Sequence, residues 1–599
     1  MRTALYVASI VFACILCPAA QGSSSGAPPD AGAQLRSLLA ASDEAYLQRN
    51  PLRALFRGDL RYADRFGDGI TDAYYDAERT AAAGELAALA RIDRAALSDE
   101  DRISYDVFAF QRRLDLRGLQ PALLAADEDR PIDHFSGLQT ILPDVSSGTG
   151  AAPFRTVADY ENNLKRLDGY IVYLDRAIVR MKHGLQVGVT NPRLVMANVV
   201  DQLDALIAEG VEGSTFYRPI RSFPDGIAAA DRARLAAAYA QFIRDRLMPA
   251  HARLRAFLRD EYLPKARTSV GLAQMPGGAD LYRYLVARNT TTDMTPEQIH
   301  ALGLSEVERI HARMEKAKHS AGFEGTLADF ARFITTDARF APASAEAMHA
   351  AFESISTRVK ASVARDFSVF PKTPLEIRPV PSYKEKTEAG ASYLEGTPDG
   401  SRPGVFYYNT YDLPSRYTWE FETLFLHEAI PGHHFQISLA QEDTSLPNFQ
   451  RFGGNTAYVE GWALYAESLG EELGMFTDPY QLYGHLNDAM LRAMRLVVDT
   501  GIHSEGWSRE RAIDYMLANS AMSRTDVVAE VERYIAIPGQ ALAYKVGELT
   551  IRRLRDKAQT ELGAKFDVRE FHAQVLMSGA LPMSVLESKI DRWIARIKG

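Results

Sequence analysis

The sequence predicts a mainly α-helical protein, a large helical body with a small antiparallel β-sheet placed just before its chemistry. Three observations carry this. Residues 34–265 and 417–599 are rich in Ala, Leu, Arg and Asp, with few β-branched runs. Apolar residues recur there at helical spacing. Segments that favour strands, punctuated by Gly, Pro and Asp, are confined to 374–412. The expected organisation is a signal at 1–22, a linker at 23–33 and one helical body over 34–599 that carries the sheet as an insertion.

The N-terminus is read first. Arg2 precedes an apolar run from Ala4 to Cys17, and small residues follow at Pro18-Ala19-Ala20-Gln21-Gly22. This is the layout of a secretory signal, too short to span a membrane comfortably. Cleavage is expected before Ser23, with Cys17-Pro18-Ala19 as a second candidate site. Val11-Phe12-Ala13-Cys14 has the outline of a lipobox, with a bulky Phe12 against it. The expected location is therefore periplasmic or secreted, and a lipid anchor is the lesser alternative. The chain's two cysteines, Cys14 and Cys17, both lie in this segment, so the expected mature chain has no thiol and a net charge of −10. With 46% apolar and 24% charged residues, composition excludes a disordered or collagen-like chain and a polytopic membrane protein. No basic excess is present to neutralise phosphates, which argues against nucleic-acid partners.

Residues 23–33, rich in Ser, Gly, Ala and Pro, read as a linker. Within the first helical region, Tyr160, Leu164, Leu167, Ile171, Leu174 and Ile178 step by alternating fours and threes along one helical face. A Pro/Gly-rich loop covers 264–280. A helix then starts at Thr295, with Pro296 at its first position and Gln298 completing a capping box. Leu304, Val307, Ile310 and Met314 supply its apolar face. Leu375–Arg378, Ala391–Leu394 and Val405–Tyr408 read as three strands, and helices resume at Tyr417.

The informative run is His427-Glu428-Ala429-Ile430-Pro431-Gly432-His433-His434, which holds three of the chain's 13 histidines. Zinc hydrolases pair two imidazole ligands with a neighbouring Glu that takes a proton from water rather than binding the metal. The usual four-residue spacing is broken, because position 431 is Pro. On an undistorted helix His427 and His433 would face about 240° apart, and His434 would lie about 10 Å along the axis. Only a broken or widened helix lets either share an ion with His427 through bonds of about 2 Å. Pro431 and Gly432 are the residues that produce such a break. Glu460 is the expected third ligand, from a helical stretch over Tyr458–Glu467. Glu467, two turns on and on the same face, is the expected acceptor that orients an imidazole. Two His and one carboxylate leave a position open for water, the catalytic pattern.

The His-Glu-Ala-Ile-Pro-Gly-His-His run and the Tyr458-Val459-Glu460-Gly461-Trp462-Ala463 segment resemble the bacterial family called domain of unknown function 885 (DUF885). The resemblance extends over most of the mature chain, including the Thr295-Pro296-Glu297 helix start and the Arg402-Pro403-Gly404 strand. Over about 60 residues the chain also looks like a variant of the gluzincin peptidases. Thimet-type oligopeptidases end their motif on Gly-His and draw a third ligand from Phe-Val-Glu. That likeness implies one zinc ion on His427, His433 and Glu460, with Glu428 as general base. Dipeptidyl peptidase III carries one extra residue in this motif, whereas this chain carries two, which leaves His434 as the alternative to His433.

Further candidates come with bland alternatives. Tyr407, Tyr408 and Asn409 lie just before the metal motif. In gluzincins an edge strand there pairs with peptide substrate, and ordinary sheet packing is the alternative. Tyr544 and His503 are candidate donors to the reaction's oxyanion, or else structural groups in helix interfaces. Arg533 is a candidate for holding a substrate carboxylate, or a structural ion pair. Trp419 and Trp462 read as core residues. The expected function is an exported zinc metallopeptidase acting on oligopeptides. The alternatives are a zinc hydrolase of non-peptide amides or esters, and a non-catalytic exported helical binding protein.

Overall fold

Helices and strands form largely where the residue pattern places them in the computed structural model, which describes residues 30–381, 385, 389–400 and 402–599. The signal and most of the linker lie outside the described residues. Residues 31–33, expected in the linker, open a helix instead (Ala31–Arg49), because the Asp30 side chain accepts from the Ala33 amide and caps it. The chain is 69% helical with one three-stranded sheet, a mainly α protein. Among the described residues no helix is long and apolar enough to cross a membrane.

Helix α1 (Val157–Val187) carries the predicted stripe. Tyr160, Leu167, Ile171 and Leu174 are buried, and Leu164 and Ile178 pack at the edge of the core. Helix α2 (Pro296–Ser320) begins as expected, with Thr295 and Gln298 exchanging side-chain bonds to each other's amide at 3.3 and 2.9 Å. Its buried face differs from the prediction. Ile299, Gly303, Val307, Ile310, Met314 and Ala317 face inward, while Leu304 is 46% exposed. The inward positions step by fours and threes from Ile299, a register that rotates position 304 toward water. Fully burying a side chain such as Ile310 is worth about 1.5–3 kcal/mol. An apolar face of this kind pins α2 along the long helix Pro479–His503.

The strands are β1 (Leu375–Pro379), β2 (Ala391–Leu394) and β3 (Gly404–Tyr408). Their positions match the prediction; their arrangement does not. The order is β1-β3-β2, with β1 parallel to β3 and β2 antiparallel to it, so the sheet is mixed rather than antiparallel. Burial gives the reason. β3 carries Val405, Phe406 and Tyr408 into the core, so it takes the central position, while β1 ends exposed.

Phe406 meets Phe352 of helix α3 (Ala345–Ser362) at 4.9 Å between ring centroids, and Phe425 of helix α4 (Phe421–Glu428) at 5.5 Å. The sheet therefore seats the helix that carries the His-Glu pair. Helix α5 (His433–Glu442) follows at once. Helices α6 (Thr456–Ser468), α7 (Pro479–His503), α8 (Arg524–Ala536) and α9 (Ala543–Leu562) complete the surroundings. Helices α6 and α9 touch backbone to backbone. A Cβ on Gly461 would sit 2.5 Å from the Gly547 backbone, and one on Gly547 would sit 1.8 Å from the Ala457 carbonyl oxygen. Only a glycine pair allows that approach.

Candidate metal centre

The metal motif is two helices with a break between them. Helix α4 ends at Glu428, and α5 starts at His433. The Ile430–Pro431 peptide is cis, and the Trp462 indole donates to the Pro431 carbonyl at 2.9 Å. Trp462 is thus a core residue, as expected, and also a clamp on the break. A Cβ at Gly432 would lie 1.8 Å from the His427 carbonyl oxygen and 2.4 Å from that of Leu426, so no other residue fits. Pro431 and Gly432 break the helix, as the spacing demanded.

The break brings His427, His433 and Glu460 together. One ligand atom from each lies within 4.8 Å of the others. The Nε2 atoms of His427 and His433 stand 3.7 and 3.6 Å from Glu460 Oε2. The rings cross at 88°. Two imidazoles and a carboxylate on one point form the donor set that suits a zinc ion, whose ligand atoms at about 2 Å bonds stand 3–4 Å apart. Burial raises the Glu460 carboxyl, but the two imidazoles outweigh it and hold it well below the carboxylate range.

Glu467 has the predicted supporting place. It is 1% exposed, and its Oε1 accepts from His427 Nδ1 at 2.7 Å, which fixes the tautomer that presents Nε2 to Glu460. Burial pushes its carboxyl up, while His427 and His485 pull it down to about 2. His485, which sequence reasoning missed, stands 3.6 Å from the other Glu467 oxygen and stacks on Phe476 at 4.9 Å. No local pattern marks it. Glu428 is partly buried beside the cluster, with no hydrogen bond or ion pair to a described residue.

His434 is excluded from the cluster. The Tyr393 hydroxyl on β2 donates to its Nδ1 at 3.0 Å, and the ring also bonds the Thr373 backbone. Burial lowers it to about 4, so it stays neutral as a brace between α5 and the sheet.

His503 is fully buried away from any donor role. Its Nδ1 accepts from the Leu272 amide at 3.2 Å and its Nε2 donates to the Tyr534 carbonyl at 2.9 Å. Both ring nitrogens are spent on the backbone, so it is a structural histidine rather than an oxyanion donor.

Tyr407, Tyr408 and Asn409 cannot pair with substrate as an edge strand, because β3 is central and has neighbours on both sides. The Tyr408 hydroxyl meets His349 Nδ1 at 3.1 Å. Asn409 donates to the carbonyls of Glu385 and Ala389 at 2.7 and 3.2 Å and accepts from the Tyr411 amide at 2.9 Å, so it ties down the connection before β2.

Tyr544 opens α9, 9% exposed, under the Arg495 guanidinium at 4.6 Å. Its hydroxyl accepts from Arg533 at 3.3 Å, which leaves its own hydrogen free to donate. Arg533 also bonds Gln540 at 2.9 Å and pairs with Glu530 at 3.3 Å. A cavity of about 1140 Å³ reaches Glu460 and Val459 on one wall and Phe135, Pro538 and Gln540 on another. That volume admits an extended peptide.

Residues 51–590 match the family described as "Bacterial protein of unknown function (DUF885)". No curated protein matches. Two solved structures are similar over nearly their whole length. A "putative lipoprotein" from Colwellia psychrerythraea shares 27% identity at a TM-score of 0.86, covering 95% of this chain and all of that one. A "putative lipoprotein of unknown function" from Shewanella oneidensis shares the fold, at 18% identity and a TM-score of 0.70, over 93% of this chain and 99% of its own.

Proposed function

The chain belongs to the DUF885 family, and we propose that it is an exported zinc-dependent hydrolase that cleaves oligopeptides in the manner of gluzincin metallopeptidases. The observation that carries this is the convergence of His427, His433 and Glu460 beside Glu428, which acts electrostatically on His427 and has no hydrogen bond or ion pair to a described residue. A purely structural site has no use for that free carboxylate.

His427, His433 and Glu460 would hold a zinc ion, which would supply a Lewis acid for the water and the scissile carbonyl. Glu428 would take a proton from the attacking water and return it to the leaving amine, so OH ends on the acyl carbon and H on the nitrogen. Tyr544 donates its free hydrogen to the oxygen that gains charge. Glu467 keeps the His427 ring in register throughout. The cavity beside Glu460 accepts a flexible chain, which favours peptides over compact amides or esters.

The lipoprotein description of the Colwellia neighbour supports export. It also favours a second route, lipidation at Cys14, over cleavage before Ser23; mass spectrometry of the mature N-terminus distinguishes them. The function is tested by zinc content and by a quenched-fluorescent peptide library. One zinc per chain and hydrolysis lost in Glu428→Gln are expected. Full activity in Glu428→Gln refutes the base, and hydrolysis of esters alone replaces the peptidase reading.

A further inference from the structure

One buried arginine, Arg495, and two partly buried ones, Arg492 and Arg533, stand beside Tyr544. Arg495 on α7 and Arg533 on α8 share a single carboxylate, Glu530, at 2.8 and 3.3 Å. Arg492, one turn before Arg495, pairs with Asp488. Arg495 and Arg533 are thus two cations on one anion, whereas Arg492 also faces Glu467 and Glu420. Arg495 is only 4% exposed. Its Nη1, and the Nε atoms of Arg533 and Arg492, are buried without a hydrogen-bond acceptor. A buried charge-bearing donor without an acceptor is costly, and proteins retain such groups where a ligand completes them.

The cluster borders the cavity that reaches Glu460. The Arg533 guanidinium lies over Phe135 at 5.0 Å and bonds Gln540, and both residues line that cavity with Glu460. Arg492 acts electrostatically on both Glu467 and Tyr544, which links this cluster to the support of His427.

We propose that Arg533 and Arg495, with Gln540, form a subsite for the free α-carboxylate at the C-terminus of a peptide, so that the enzyme cuts near that end. This rests on the hydrolase reading above. A carboxylate has two oxygens with four acceptor positions, and it supplies the one negative charge that the cluster lacks. An amidated or internal peptide segment brings no such charge.

The test compares matched peptide libraries with free and with amidated C-termini, with cleavage positions read by mass spectrometry. Free-acid peptides are expected to be cut only within their last few bonds, at least about 30-fold faster than amides, the factor one charge-assisted hydrogen bond provides. Arg533→Met is expected to raise KM for acids by a larger factor than for amides, and Arg533→Lys to recover part of the preference. Calorimetry on the zinc-bound Glu428→Gln protein, with N-acetyl-trialanine and its amide as probes, reads the preference without turnover. Arg533→Met retains Glu530 as the partner of Arg495, so a folded variant is expected; circular dichroism checks it. Equal cleavage or equal binding of acid and amide overturns the subsite and leaves the hydrolase reading intact. No cleavage of either library overturns the hydrolase reading, and the subsite with it.

Discussion

Replacing Glu467 by Gln isolates the charge behind His427 while keeping its volume. The Glu467 carboxylate accepts from His427 Nδ1 at 2.7 Å in a nearly water-free setting. A charge-assisted bond of this kind contributes about 1.5–3 kcal/mol, and the neutral amide that replaces it about 0.5–1.5 kcal/mol. The difference of about 1–2 kcal/mol corresponds to roughly 5- to 30-fold weaker zinc binding, in line with what lost supporting partners of metal-bound histidines cost. The loss is expected in the zinc dissociation constant, measured by competition with a chromogenic chelator near neutral pH. Far-ultraviolet circular dichroism controls for folding. A folded Glu467→Gln protein that binds zinc within twofold of wild type refutes the claim that this carboxylate supports a metal ligand.

Other perturbations have equally definite outcomes. Gly432→Ala places a Cβ 1.8 Å from a carbonyl oxygen, so the chain between the helices must move; lost zinc binding and a destabilisation above about 3 kcal/mol in urea unfolding are expected. Glu428→Gln is expected to keep its zinc and lose about 10²–10⁴-fold in kcat, the range of a missing general base. Burial raises the Glu530 carboxyl, but Arg495 and Arg533 overcome this and hold it at about 2. Its folded value thus lies below its unfolded one. The stability it contributes, about 3 kcal/mol, is present above pH 4.5 and lost as pH falls toward 2, so the acid limb of the stability curve is expected to flatten in Glu530→Gln. Free zinc at a hundred times its dissociation constant is expected to add about 2.7 kcal/mol of stability, removed again by a chelator and read by denaturant titration.

The parts of this molecule that were legible in its sequence are those fixed by neighbours in the chain. The α1 stripe, the Thr295 cap and the limits of all three strands follow from local periodicity and turn chemistry. The His427, His433 and Glu460 cluster could be anticipated because Pro431 and Gly432 sit where a helix had to break for these side chains to meet. What could not be read depends on distant partners. That His433 joins the cluster while His434 turns to Tyr393, whose hydroxyl engages it from another element, depends on such a distant partner. His503 looked available until Leu272 and Tyr534 were seen to occupy both of its nitrogens. Strand order depends on which strand is buried, and that is decided by Phe352 and Phe425 packing on Phe406. His485 and the arginines around Tyr544 carry no local motif, since they gain meaning only from Glu467 and Glu530.

The most direct test is the zinc content of the purified mature protein and of two single variants, measured by inductively coupled plasma mass spectrometry. The account predicts one zinc per chain in wild type, a loss of stoichiometric zinc in His433→Ala, and retained zinc in His434→Ala. Wild-type protein without stoichiometric zinc after reconstitution, or zinc lost from His434→Ala and kept by His433→Ala, contradicts it.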